Sequence, residues 1–130
     1  MSLARVTTIE VSAATPTWQQ VYPVTGMPDG GTLYIGFQCQ NMPTDGFVAF
    51  SVPGPDQADS VNIPKTPITS PSMMITVQVT WPTNYATNAT LDYWQGATAP
   101  PVGASISPVI FVPAGDGQMV MVSKTTYQFK

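Results

Sequence analysis

Residues 30–47 read GGTLYIGFQCQNMPTDGF. From Thr32 to Gln40 the run alternates without a break, with Leu33, Ile35, Phe37 and Cys39 on one side and Thr32, Tyr34, Gly36, Gln38 and Gln40 on the other. An extended chain turns successive side chains to opposite faces, so a period of two predicts a half-buried strand. Pro, Asp and Gly close it on both flanks. Residues 73–81 repeat the pattern, setting Met73, Ile75, Val77, Val79 and Trp81 against Met74, Thr76, Gln78 and Thr80.

Working outward, the rest of the chain reads the same way. Helix formers are scarce, with three Leu, one Glu and three Lys, whereas Val, Ile and Thr number 38 of the 130 residues. That is a strand composition. Further strands are predicted at 5–12, 18–24, 47–52, 60–63, 91–95, 105–112, 117–123 and 125–129. Pro108 lacks an N–H for the ladder and predicts that its strand is an edge or is bulged. Eight to ten short strands without a helix predict one all-β domain spanning residues 1–130. The expected architecture is an antiparallel β-sandwich, jelly-roll or immunoglobulin-like, with residues 1–12 as a candidate strand-exchanging arm.

The loops MPDGG (27–31), MPTDG (42–46) and VPAGDG (112–117) invite a search for ion binding. Calcium takes six to eight oxygens, and none of these loops has the Asp-x-Asp-x-Asp-Gly spacing with a distant bidentate Glu. Proline instead presets a turn, Asp bonds its own backbone and Gly supplies a positive φ, so the loops read as hairpin punctuation. Asp56 and Asp59 are the closest acidic pair and read as solvated carboxylates. No metal and no cofactor is expected.

Catalysis finds little to work with. There is no His, so the usual general base, zinc ligand and triad partner are missing, and the lone Cys39 has no partner to activate it. Cys39 lies on the apolar face of its strand and is expected to be a buried structural thiol. Ser123 and Lys124 are neighbours in a strand pattern and point to opposite faces. No Walker-type loop is present. The chain is expected not to be an enzyme.

Charge says more. Only 8% of residues are Asp, Glu, Lys or Arg, against about 25% in an average soluble domain. The net charge of −3 and the absence of a basic cluster argue against nucleic acid. No apolar run reaches membrane-spanning length and the first residues lack a signal-peptide pattern, which predicts synthesis in the cytoplasm without export. The Asn-Ala-Thr triplet at 88–90 then reads as a polar loop. Interface cores are depleted in charge and enriched in aromatics and Met. A sheet surface of Thr, Gln, Ser and Asn, with few of the charges that keep strand edges apart, is therefore expected to be covered by copies of itself or by a larger assembly.

Several residues are candidates for partner contact. Val6, Ile9 and Val11 in the N-terminal strand and Tyr127 and Phe129 in the C-terminal one are placed for strand addition. Tyr85, Tyr93 and Trp94 belong to an aromatic, nearly uncharged stretch, 82–104, where long loops are usually functional. They suit a protein interface, a stacking platform for a sugar ring, or a cap on the core. The proline-rich stretch 52–72 reads as an extended excursion with at most one short strand. The methionine pairs Met73/Met74 and Met119/Met121 read mainly as core filling.

A short, helix-poor, nearly uncharged chain rich in Thr, Val and Pro, with strand-like ends and no catalytic set, resembles the small all-β decoration (cement) proteins of tailed-phage capsids. The likeness covers the whole chain. It implies a virion protein, a homotrimer that contacts the major capsid protein or another virion protein and stabilises the assembled shell. The alternatives are a carbohydrate-binding or receptor-binding adhesive module, or a tail or fibre subunit.

Overall fold

The computed structural model describes residues 5–13, 19–26, 28, 31–52, 61–81 and 89–130. Among them nine strands and no helix are found: β1 (Arg5–Val11), β2 (Gln19–Pro23), β3 (Gly31–Gln40), β4 (Phe47–Val52), β5 (Val61–Pro67), β6 (Met74–Trp81), β7 (Thr90–Trp94), β8 (Ser105–Pro113) and β9 (Met119–Phe129). They form a five-stranded sheet in the order β1-β9-β8-β3-β6 and a four-stranded sheet in the order β2-β7-β4-β5. Each pairing is antiparallel except β1 with β9, which is parallel. The all-β sandwich expected from the sequence is therefore what this chain adopts.

The core lies where the alternation places it. Leu33, Ile35, Phe37 and Cys39 of β3 are all buried, as are Ile106 and Ile110 of β8 and Tyr127 and Phe129 of β9. They join Val48 and Phe50 of β4, Ile63 of β5, and Leu91 and Tyr93 of β7 in one apolar cluster shared by both sheets. Burying one such side chain is worth about 1.5–3 kcal/mol, which is why the two apolar faces meet. Met73, Ile75 and Val77 pack against the margin of this cluster.

The link from β2 to β3 crosses from one sheet to the other and is tied to β9. Ser123 Oγ donates to the Thr25 carbonyl at 2.7 Å, the Thr25 and Thr125 hydroxyls are 3.1 Å apart, and the Tyr127 hydroxyl donates to the Pro23 carbonyl. Ser123 and Thr125 are polar yet buried, so these bonds answer their desolvation. Gly26 completes the crossing with φ +79°, and a Cβ there would lie 2.7 Å from Ser123 Cβ. Only glycine meets both conditions.

Some expectations are corrected. The two strands expected at 117–123 and 125–129 are one, β9, which starts at Met119 and runs through Lys124 to Phe129, because Lys124 carries no turn signal. Of the two readings of Pro108, the edge is overturned, because β8 lies in the middle of its sheet, while an irregular strand is what is found: the β8–β9 register shifts between Ile110 and Phe111. The β8–β9 register omits Ser107 and Pro108, and Ser107 Oγ donates to Thr126 Oγ1 at 3.0 Å across that gap. A side-chain bond thus stands beside the ladder position that proline weakens. Strand β5 runs through Pro64 to Pro67, longer than the 60–63 expected, since an edge strand tolerates proline. Of the two methionine pairs, Met73 packs against the core and Met121 is half buried, while Met74 and Met119 are about half exposed, so core filling does not describe Met74 or Met119.

The two Asp-Gly loops among the described residues, 42–46 and 112–117, behave as turns, with one variation. Gly115 and Gly117 have positive φ, and Gln118 N–H donates to Asp116 Oδ1 at 3.2 Å, as a turn Asp should arrange. In MPTDG, however, Gly46 has no positive φ. It is glycine because a Cβ would come within 2.8 Å of the Tyr93 ring and 2.9 Å of the Trp94 carbonyl. Asp29 and Gly30 of the first loop, and Asp56, Asp59 and Asn88, lie outside the described residues.

Candidate functional site

β1 is the surface feature the sequence pointed to most directly. It pairs with β9 from Arg5 opposite Ser123 to Val11 opposite Phe129. Yet Arg5 to Glu10 are all exposed, Val6 at 61% and Ile9 at 40%, and only Val11 is half buried. From Arg5 to Glu10 the strand continues the five-stranded sheet past the layer that covers it, and only Val11, at its end, packs against the core. Residues 1–4 of the candidate arm lie outside the described residues.

The remaining predicted contact residues separate into three groups. Tyr127 and Phe129 belong to the core and both ladder edges of β9 are taken, by β1 and β8. Neither residue is available to a partner of the folded chain, which corrects the expectation of strand addition at the C-terminal strand. Tyr93 is also buried, with its ring edge-on to Phe129 at 6.0 Å. It therefore caps the core instead of offering a platform. Trp94, the next residue, points the opposite way and is half exposed. Tyr85 lies outside the described residues.

The electrostatics of the interior are those of packing. Burial pushes the Cys39 thiol up to about 12, which leaves it protonated and inert. Burial, with Tyr127 alongside, also pushes Tyr22 up to about 12; the two rings stack at 4.5 Å. Tyr93 is raised by burial first and then by Asp45, Tyr22 and Cys39. No group of three or more potential metal ligands converges among the described residues.

Trp94 lines a pocket that sequence reasoning missed. The pocket, of about 200 Å³, is bounded by Asp45, Phe47, Lys65, Trp94, Gln95 and Gly96. Phe47 and Trp94 are cross-strand partners on β4 and β7, and Lys65 comes from β5, the next strand over. The Lys65 ammonium stands 5.0 Å from the Phe47 ring centre and 4.7 Å from that of Trp94. Hydrogen bonds from Thr98, through its side chain and through its N–H at 2.9 Å, hold the Asp45 carboxyl below the usual range and tie two loops together. No signal along the chain joins these residues, because only the pairing of β5, β4 and β7 makes them neighbours.

Compared with protein-family models, with curated proteins and with solved structures, this chain matches none.

Proposed function

We propose that this chain is a non-enzymatic structural subunit, a virion decoration protein that associates with copies of itself and with a capsid surface through its β1 margin. The observation that carries the reading is the bareness of β1. Ordering the backbone of one residue costs about 1–2 kcal/mol, whereas a net hydrogen bond returns about 0.5–1.5 kcal/mol. Six residues, Arg5 to Glu10, that are bonded along one edge and exposed on both faces gain little more than that. A second polypeptide on its free edge, or over Val6 and Ile9, supplies what the fold omits.

The low charge supports the same reading, since edges kept apart in solution usually carry Lys, inward charges or a cover. Val6, Ile9, Met119 and Val120, all at least 40% exposed, add apolar area on strands of one sheet. The likeness to cement proteins supplies the virion setting. Binding only the assembled shell would stabilise that shell by mass action.

Light scattering of the full chain at micromolar concentration tests the proposal. A trimer, at three times 13.9 kDa, is expected, and Val6→Asp with Ile9→Asp should return it to monomer without unfolding it. A monomer at every concentration, or an oligomer indifferent to the double substitution, would reject the β1 margin as the contact.

A further inference from the structure

The Phe47–Trp94 pocket has no part in the β1 margin, and its lining is chemically specific. It combines two aromatic rings, an ammonium, a carboxylate and a side-chain amide around about 200 Å³, room for one small ring rather than a drug-sized ligand. We propose that it binds a neutral sugar unit, a single pyranose or the terminal residue of a glycan.

The argument is one of complementarity. Lys65 and Asp45 bring opposite charges to one small space, so the lining as a whole favours neither an anion nor a cation. What it offers is a donor in the Lys65 ammonium and an acceptor in the Asp45 carboxylate, which is exposed and binds Thr98 through Oδ2. A polyhydroxylated ring carries hydroxyls that both donate and accept, and it can meet both groups at once. Its C–H face is apolar, and Phe47 and Trp94 are the flat, weakly negative surfaces such a face packs against. A purely apolar ligand would take water from the ammonium and the carboxylate and return no hydrogen bond to either.

The site is also built rather than accidental. Phe47 and Trp94 face each other in the β4–β7 ladder, which fixes their spacing. Lys65 is held over both rings. The two loops that frame the pocket are in close contact: a Cβ on Gly96 would lie 2.3 Å from the Asp45 carbonyl oxygen, and the Thr98 amide bonds the Asp45 carboxylate. Gln95 is buried beneath them. Of the aromatics first considered as a sugar platform, Trp94 alone is placed here; Phe47 and Lys65 supply the rest.

The test is a glycan array followed by titration of the best neutral ligand into the full chain, with the Trp94 indole N–H followed by NMR. Saturable binding with a shift of that indole signal is expected. Phe47→Ala and Lys65→Met should each weaken binding at least tenfold, while Met74→Ala, at an exposed position on β6 in the other sheet, leaves it unchanged. Circular dichroism of each variant separates lost binding from lost fold, and Asp45→Asn, which keeps an acceptor for Thr98, serves where a larger change unfolds the chain. No binding of any neutral glycan would overturn the proposal. So would binding insensitive to Phe47 and Lys65, or a preference for sialylated or sulfated glycans. The measurement does not depend on oligomeric state, so its failure leaves the assembly reading to its own test.

Discussion

β1 and β9 are neighbours, bonded in parallel along the whole of β1, yet they occupy different environments. In β9 Ser123, Thr125, Tyr127 and Phe129 are buried, whereas in β1 only Val11 is even half covered. The ladder is common to both, so hydrogen bonding does not make the difference. What separates them is the second layer: the four-stranded sheet and the 23–26 link cover β9 and stop short of β1. A sheet can extend beyond its own core, and the part that extends is held only by its edge.

The largest effect that sharpens this contrast is expected from Phe129→Ala. It removes a wholly buried ring from the cluster and should cost about 3–5 kcal/mol, read from the midpoint of urea unfolding. Tyr127→Phe should follow at about 0.5–1.5 kcal/mol, the net worth of one hydrogen bond, because it removes the donor to the Pro23 carbonyl. Tyr22→Phe is the control: the Tyr22 hydroxyl is buried with no partner among the described residues, so its removal should be neutral or stabilising. If both Phe variants behave alike, the link is not what secures β9.

Alkaline pH should act on the covered side alone. Cys39 and Tyr22 have folded pKa values raised to about 12, above those of the unfolded chain. The folded state then holds its protons more tightly, so the stability they contribute is complete below about pH 9 and is lost as pH rises toward 12. Urea midpoints measured from pH 8 to 11 should fall, and Cys39→Ala should delay the onset of that fall to the tyrosine range. A flat profile would show that these groups are open to water. The smallest effect belongs to β1: Val6→Asp with Ile9→Asp should move the monomer's stability by no more than about 0.5 kcal/mol per site, as for other exposed positions. A loss as large as that of Phe129→Ala would mean that β1 is already packed, and the contrast would fail.

The faces of the strands were legible in the sequence, their neighbours were not. Alternation in residues 32–40 and 73–80 identified the inward side chains Leu33, Ile35, Phe37 and Cys39 of β3 and Met73, Ile75, Val77 and Val79 in and beside β6, because a period of two is a local property. Pro108 left two readings open for the same reason: proline forbids a bond, but whether that bond lies at an edge or inside an irregular interior strand, as here, depends on strands far away. The parallel pairing of β1 with β9, over more than a hundred residues of chain, left no local trace. The candidate pocket was visible only through Trp94. Asp45, Phe47 and Lys65 read singly as a turn, a strand start and a rare cation, and they gain a joint meaning only once β4 lies between β5 and β7.

The parallel alignment of the first and last strands has a mechanical consequence. Arg5 begins β1 at the pole where Ser123 lies, and Phe129 ends β9 beside Val11 at the other. Tension drawn outward on residues 5 and 130 therefore slides the two strands past each other and loads all seven register pairs together, instead of peeling them one by one. Force along that axis meets its resistance at the most exposed strand of the molecule.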